Sequence, residues 1–320
     1  MKKFASAAGL FLLAPLIAEY LLGDFPITVL FPLILLGPTY GGAALLIREL
    51  ARRFDLGWPS IVLLGLAYGV IEEGLMTQSL FNPNYAGAHL LEHGFIPALG
   101  IAVPWTMFVL TLHTVWSISA PIAIVEEMSL ERRTTPWLGK IGLAVTAILA
   151  FLGAAATTVF TYVGMGRFMA SIPQLATVVV IAAVLIVVAF RLRPARTPGT
   201  GRAPSAWLVL ATALVAGVVF EAGWTWLPTW IGVVALGIAE LGMAVIILVW
   251  SRKPGWGPWH RLALASGAIL TYAWHGFFTN GVMPASPAVM LASHVIFAAG
   301  ALALLVVAAL RVRRAATVTA

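Results

Sequence analysis

Residues 67–81, AYGVIEEGLMTQSLF, set two adjacent carboxylates, Glu72 and Glu73, near the middle of an otherwise apolar run. On insertion scales an ionised side chain at the centre of a membrane helix costs about 2.5–3.5 kcal/mol, so a pair there calls for a partner, a proton or a water-filled cavity. With residues 58–66 in front of it, the run is long enough to cross a bilayer. One stretch therefore implies both a membrane-spanning fold and a site within it.

Composition extends that reading to the whole chain. Of 320 residues, 61% are hydrophobic and only 10% charged, and the mean hydropathy is +0.99. These values indicate an all-α polytopic membrane protein and exclude a soluble domain. The formal net charge of +7 does not signal nucleic acid, because the basic residues punctuate apolar segments and form no water-facing cluster. The chain has no cysteine, which excludes disulfides, a thiolate nucleophile and cysteine metal sites. Any metal would need histidine and carboxylate ligands.

At about 20 apolar residues per span, helices are expected near 4–22, 27–47, 58–80, 101–125, 138–160, 172–190, 205–225, 231–250, 261–281 and 288–310. The opening MKKFASAAGLFLLAPLIAEY is read as an uncleaved first helix. Basic residues give a check independent of hydropathy, since they concentrate in alternate, cytoplasmic loops. Lys2 and Lys3; Arg48, Arg52 and Arg53; Arg132, Arg133 and Lys140; Arg191, Arg193, Arg196 and Arg202; Arg252, Lys253 and Arg261; and Arg311, Arg313 and Arg314 all fall on one side, with Arg167 opposite. About ten spans, with both termini cytoplasmic, are the expectation.

Two connections stand out. Residues 82–100, NPNYAGAHLLEHGFIPALG, are expected to form a solvated external loop. Residues 191–204, RLRPARTPGTGRAP, have the composition of a cytoplasmic linker. The linker separates residues 1–190, with six helices and the Glu-Glu motif, from residues 205–320, with four.

Helical rise converts this topology into depth. Glu72 and Glu73 lie roughly 21 Å from the start of their span, and His113 and His275 come to a similar level. Glu221, Glu240, Asn280 and His294 fall in the outer half. Residues four apart share a helix face, giving the stripes Tyr68–Glu72–Met76, Gly69–Glu73–Thr77, Val109–His113–Ser117 and Thr271–His275–Thr279. On an ideal helix Glu72 and Glu73 are about 100° apart, so one is expected to face a cavity while a neighbouring helix holds the other. The bland readings are an interhelical hydrogen-bonding role for His275 and His294, and a structural carboxylate role for Glu221 and Glu240. Glu126 and Glu127 are expected to be solvated charges beside Arg132 and Arg133. Trp58, Trp137, Trp224, Trp226, Trp256 and Trp259 read as an interfacial belt.

The segments IEEGLMT, FVLTLHTVW and WHGFFTN resemble the intramembrane glutamate proteases of the CAAX-protease and bacteriocin-processing group. The chain departs from that group's pattern in carrying Thr77 where an arginine stands, and in one-residue-longer spacings from Phe108 to His113 and from His275 to Asn280. The resemblance implies that Glu72 or Glu73 activates water, that His113 and His275 hold the water or the developing oxyanion, and that Asn280 assists, without a metal or other cofactor. The EEG segment with its SLFNP continuation, together with HTVWSISAPIAIVEE, also looks like a group of uncharacterised prokaryotic membrane proteins.

Several functions draw on these residues. A membrane hydrolase acting on a membrane-embedded peptide or small molecule would use a buried carboxylate as general base. A proton-coupled transporter would use the same Glu and His groups as a relay, with Gly37, Gly41, Gly42 and the prolines of the early spans breaking helices. A His-and-carboxylate metal site would need ligands from three helices, since no His-Glu-x-x-His helix exists. A purely structural subunit is the remaining reading. The expectation is a multipass cell-membrane protein in contact with lipids, with a Glu/His site of a metal-independent hydrolase or, alternatively, of a proton-coupled transporter.

Overall fold

The computed structural model describes residues 3–192, 199–283 and 285–318. Lys2, Arg193, Arg196 and the linker stretch 193–198 lie outside the described residues. Helices account for almost all of the structure, and the only strand pairing among the described residues is Phe95–Ile96 with Ile101–Ala102 in the loop after the third helix.

Ten long helices follow in order: α1 (Phe4–Leu21), α2 (Leu33–Arg53), α3 (Trp58–Met76), α4 (Val103–Met128), α5 (Lys140–Gly164), α6 (Ile172–Arg191), α7 (Ala206–Thr225), α8 (Thr229–Trp250), α9 (Pro258–His275) and α10 (Pro287–Thr317). Among the described residues, nine of them are long and apolar enough to cross a membrane. The exception is α9, which carries His260, Arg261 and His275 and is packed against α4, α7 and α10. The protein is a multipass helical membrane bundle.

Boundaries differ from the hydropathy reading where proline or burial intervenes. Pro26 and Pro32 hold residues 26–32 in turns, and Pro32 caps α2, which begins later than expected and runs on through Arg48, Glu49, Arg52 and Arg53. Helix α9 stops at His275, so the turn Gly276–Phe278 separates it from Asn280.

Helix α4 is the axis of the bundle. Its most apolar window is 78% buried, against 11% for α5 and 17% for α6, so α4 is surrounded by protein while α5 and α6 present apolar surface outward. It packs on α1, α3, α8, α9 and α10. One apolar cluster joins Ile17 and Leu21 of α1, Phe108 and Trp116 of α4, Phe220 of α7, Ile269 of α9 and Ala308 of α10. Residues on both sides of the expected linker thus share a core. The linker itself is tied down at its second end, where Gly199 and Ala203 donate backbone N–H groups to Arg252 and Pro254 carbonyls (2.8 and 2.9 Å).

Four helices contain a wider π-helical turn: Leu16–Leu21 in α1, Gly37–Gly41 in α2, Glu72–Met76 in α3 and His113–Ser119 in α4. Such turns insert a residue and shift the helix face, and they recur at functional sites. Each of the four carries one of the polar groups described next.

Candidate functional site

Small residues set the approach of α3 to α4. A Cβ on Gly69 would meet the His113 Cβ at 3.1 Å, and one on Gly65 would meet Ile118 at 3.4 Å. That close crossing carries the next turn of α3, with Glu72 and Glu73, onto His113.

The imidazole is gripped on both edges. Its Nε2 lies 2.7 Å from Glu73 Oε1, and its Nδ1 lies 3.1 Å from both Glu72 Oε2 and Ser117 Oγ. Both carboxylates reach one ring, where an ideal helix would separate them. The π turns explain the difference, because Glu72–Met76 is wound more widely and His113 itself opens the π turn of α4. All three residues are at most 5% exposed, so little bulk water reaches them.

The two carboxylates are not equivalent. Glu73 Oε2 accepts from Thr77 Oγ1 (3.0 Å) and from Ser79 Oγ, which in turn accepts from Trp105 Nε1 (3.0 Å). Both Glu73 oxygens are therefore engaged. Glu72 Oε2 lies beside His113 but off the line of a hydrogen bond, and no donor satisfies it. Tyr40 stacks on the imidazole at 5.9 Å with its ring plane tilted 14°, and Tyr68 meets it edge-on at 6.1 Å. The two phenols also face Glu72. Glu19, on the π turn of α1 and half-buried, adjoins Tyr40 and completes a set rich in carboxyl groups. In the turn after α1, burial and the nearby Glu19 hold the Asp24 carboxyl well above the usual carboxylate range.

Glu72, Glu73 and His113 each offer one ligand atom, all within 4.8 Å of one another, which is the first requirement for a metal. An ion there would have to displace contacts already made, since both Glu73 oxygens and both His113 nitrogens are engaged. Beside the cluster, a recess of about 10 Å³, space for one water, is lined by Met76, Thr77, Gln78, Asn82, Thr158 and Thr161 among others, and so adjoins the residue that holds Glu73.

The other expected site residues lie elsewhere. His275 Nε2 is 3.3 Å from Glu221 Oε2, and Asn280 is exposed on the turn beyond α9. His294 packs near Gly23 and Gly276. Glu240 accepts from Thr111 at 2.9 Å. Glu126 and Glu127 are not solvated: both are buried, Glu126 between Arg48 and Arg52, and Glu127 against Arg261. The loop at 82–100 is mostly exposed, although Asn82 and Leu91 are buried. The sequence reading did not single out Glu19, Tyr40, Ser79 or Trp105 as site residues. Glu19 carried the same signal as Glu72, a carboxylate in an apolar span, but its place near a helix end disguised it.

Fold and buried cluster together define a polytopic α-helical membrane protein with an intramembrane Glu/His centre. More particularly, the chain belongs to an uncharacterised membrane protein family, whose model matches residues 10–320. No curated protein and no solved structure matches it.

Proposed function

We propose that the Glu72/Glu73/His113 cluster is the active centre of a metal-independent intramembrane hydrolase, similar in chemistry to the glutamate proteases its motifs resemble. The observation that carries this reading is the inequality of the two carboxylates around one imidazole. Glu73, fixed by Thr77 and Ser79, holds His113 in place, while Glu72 keeps an oxygen free to accept a proton. In this mechanism a water donates a proton to Glu72 as its oxygen attacks the scissile carbonyl carbon. Tyr40 and Tyr68 supply O–H donors to the developing oxyanion. The tetrahedral adduct collapses with cleavage of the C–N bond, and Glu72 returns the proton to the leaving nitrogen. Atoms balance with water as the sole co-reactant.

The test is to reconstitute the full chain in liposomes with solubilised membrane proteins and label new N-termini. The reading expects termini produced by the wild type and absent with Glu72→Gln. Identical terminus sets from both proteins would refute it.

One observation favours a second reading, a proton-coupled transporter. The π turns of four different helices meet at one buried, acid-rich cluster, an arrangement suited to helix rearrangement on protonation. Under that reading the liposomes acidify in response to a solute gradient, and Glu72→Gln abolishes the uptake without any cleavage product in the wild type.

A further inference from the structure

A second set of buried polar atoms lies between α7 and α9 and has no part in the chemistry above. Glu221 on α7 is fully enclosed, and neither of its carboxylate oxygens has a hydrogen-bond partner. The same is true of Nε2 of His275 and the phenol oxygen of Tyr272, both buried on α9. Leaving a buried polar atom unsatisfied costs about 1–3 kcal/mol. Native structures hold few such atoms, so four on two packed helices point to an occupant.

The surroundings define that occupant. The helices pack too closely to leave room for a large one, because a Cβ on Gly217 would fall on Thr271 and one on Gly267 on Ala213. Nearby donors are already committed: Trp116 Nε1 bonds the Ala268 carbonyl (2.7 Å) while its ring stacks on Tyr272, and Thr271 bonds the Gly267 carbonyl (2.9 Å). Among the described residues no arginine or lysine pairs with Glu221, whose one ionic neighbour is His275 at 3.3 Å. The titratable groups on the adjoining elements are Glu19 and Tyr20 of α1, Asp24 in the following turn, His113 of α4, Glu240 of α8 and His294 of α10. Glu126 and Glu127 of α4, His260 and Arg261 of α9, and Arg311, Arg313 and Arg314 of α10 lie at the far end. The count then closes with small occupants. One proton shared by Glu221 Oε2 and His275 Nε2 satisfies two of the four atoms, and one water between Glu221 Oε1 and the Tyr272 hydroxyl satisfies the rest.

The geometry points to Glu221, His275 and Tyr272 as a second buried proton-binding site, in which carboxyl and imidazole share one exchangeable proton and a water links them to the phenol. Exchange with the exposed end of α9 runs past Thr279, whose hydroxyl lies 3.5 Å from His275 Nδ1. The site is separate from the Glu72 centre and stands whether or not that centre is hydrolytic.

Infrared difference spectroscopy over a pH titration of the full chain in nanodiscs tests this. The expected result is a protonated-carboxyl band that shifts in deuterated water and vanishes in Glu221→Gln. Its midpoint moves by at least about one pH unit in His275→Gln, as for any pair sharing a proton. A near-isosteric Tyr272→Phe variant, which removes only the hydroxyl, keeps the band but changes its frequency. No band lost in Glu221→Gln, or an unchanged midpoint in His275→Gln, would overturn the proposal. Should His275→Gln fail to fold, an unchanged frequency in Tyr272→Phe overturns it instead.

Discussion

Two clusters of buried charge sit in this bundle, and they are built on opposite plans. Where the arginine-rich end of α2 meets the end of α4, Glu126 takes three bonds from Arg48 and Arg52, at 3.0, 2.8 and 2.6 Å. Glu49 accepts from Arg48 at 2.7 Å and from the backbone of Trp137 and Leu138 at 2.8 and 3.0 Å. The remaining Arg48 nitrogen bonds the carbonyls of Arg132 and Arg133 (3.1 and 2.8 Å), and its guanidinium lies 3.5 Å over the Trp137 ring. With Arg53 also 3.6 Å from Glu49, both carboxylates are fully compensated in charge, and every carboxylate oxygen has a donor. Around His113, three carboxylates face one imidazole, and Glu72 keeps an unsatisfied oxygen. A balanced, saturated network holds structure. An unbalanced one is the kind of environment that clusters at sites handling protons, water or substrate.

The contrast breaks first at the saturated cluster. Glu126→Ala strands two buried guanidinium groups and is expected to cost about 3–5 kcal/mol, the range for removing one partner of a buried pair. Loss of folded protein in size-exclusion chromatography and a lower unfolding temperature would report it. Next comes Glu72→Gln, expected to lower product formation by at least about 10²-fold, as for loss of a general base, while its unfolding temperature stays at or above that of the wild type. The same unfolding assay applied to both variants separates the two plans. If Glu72→Gln destabilises as much as Glu126→Ala, the clusters are alike.

Smaller effects sharpen the comparison. Gly69→Val would place a Cβ about 3.1 Å from that of His113, at an expected cost of about 1–3 kcal/mol from overpacking, with activity falling alongside stability. Ser79→Ala removes one of Glu73's donors and is expected to cost about 0.5–1.5 kcal/mol, read as no more than roughly tenfold in turnover. Asn280→Ala, on an exposed turn, is expected to change neither quantity measurably. A large loss there would tie that turn to the Glu72 centre despite its position.

Much of this was legible in the sequence because a bilayer imposes a depth on every residue. The spans, the apolar class and the shared depth of the Glu-Glu pair and His113 could be inferred from run lengths, and the motif resemblance implied that the three act together. Depth, however, is only one coordinate. His275 lies at nearly the level of Glu72, yet it sits on a helix facing Glu221, and hydropathy carries no record of the angle around the bundle axis. The π turns were also invisible, since one inserted residue leaves the apolar pattern almost unchanged while swinging Glu72 and Glu73 onto a single ring. At Glu126 and Glu127, charge beside a predicted loop suggested solvent. The chain from Arg132 to Leu138 instead folds back over α2 and buries them.

The most direct measurement is the set of new protein N-termini formed by the wild type and by Glu72→Gln in the same liposomes, with the variant first shown to unfold at or above the wild-type temperature. An active centre at Glu72, Glu73 and His113 predicts cleavage by the wild type alone. Equal cleavage by the two, or none by either, would contradict it.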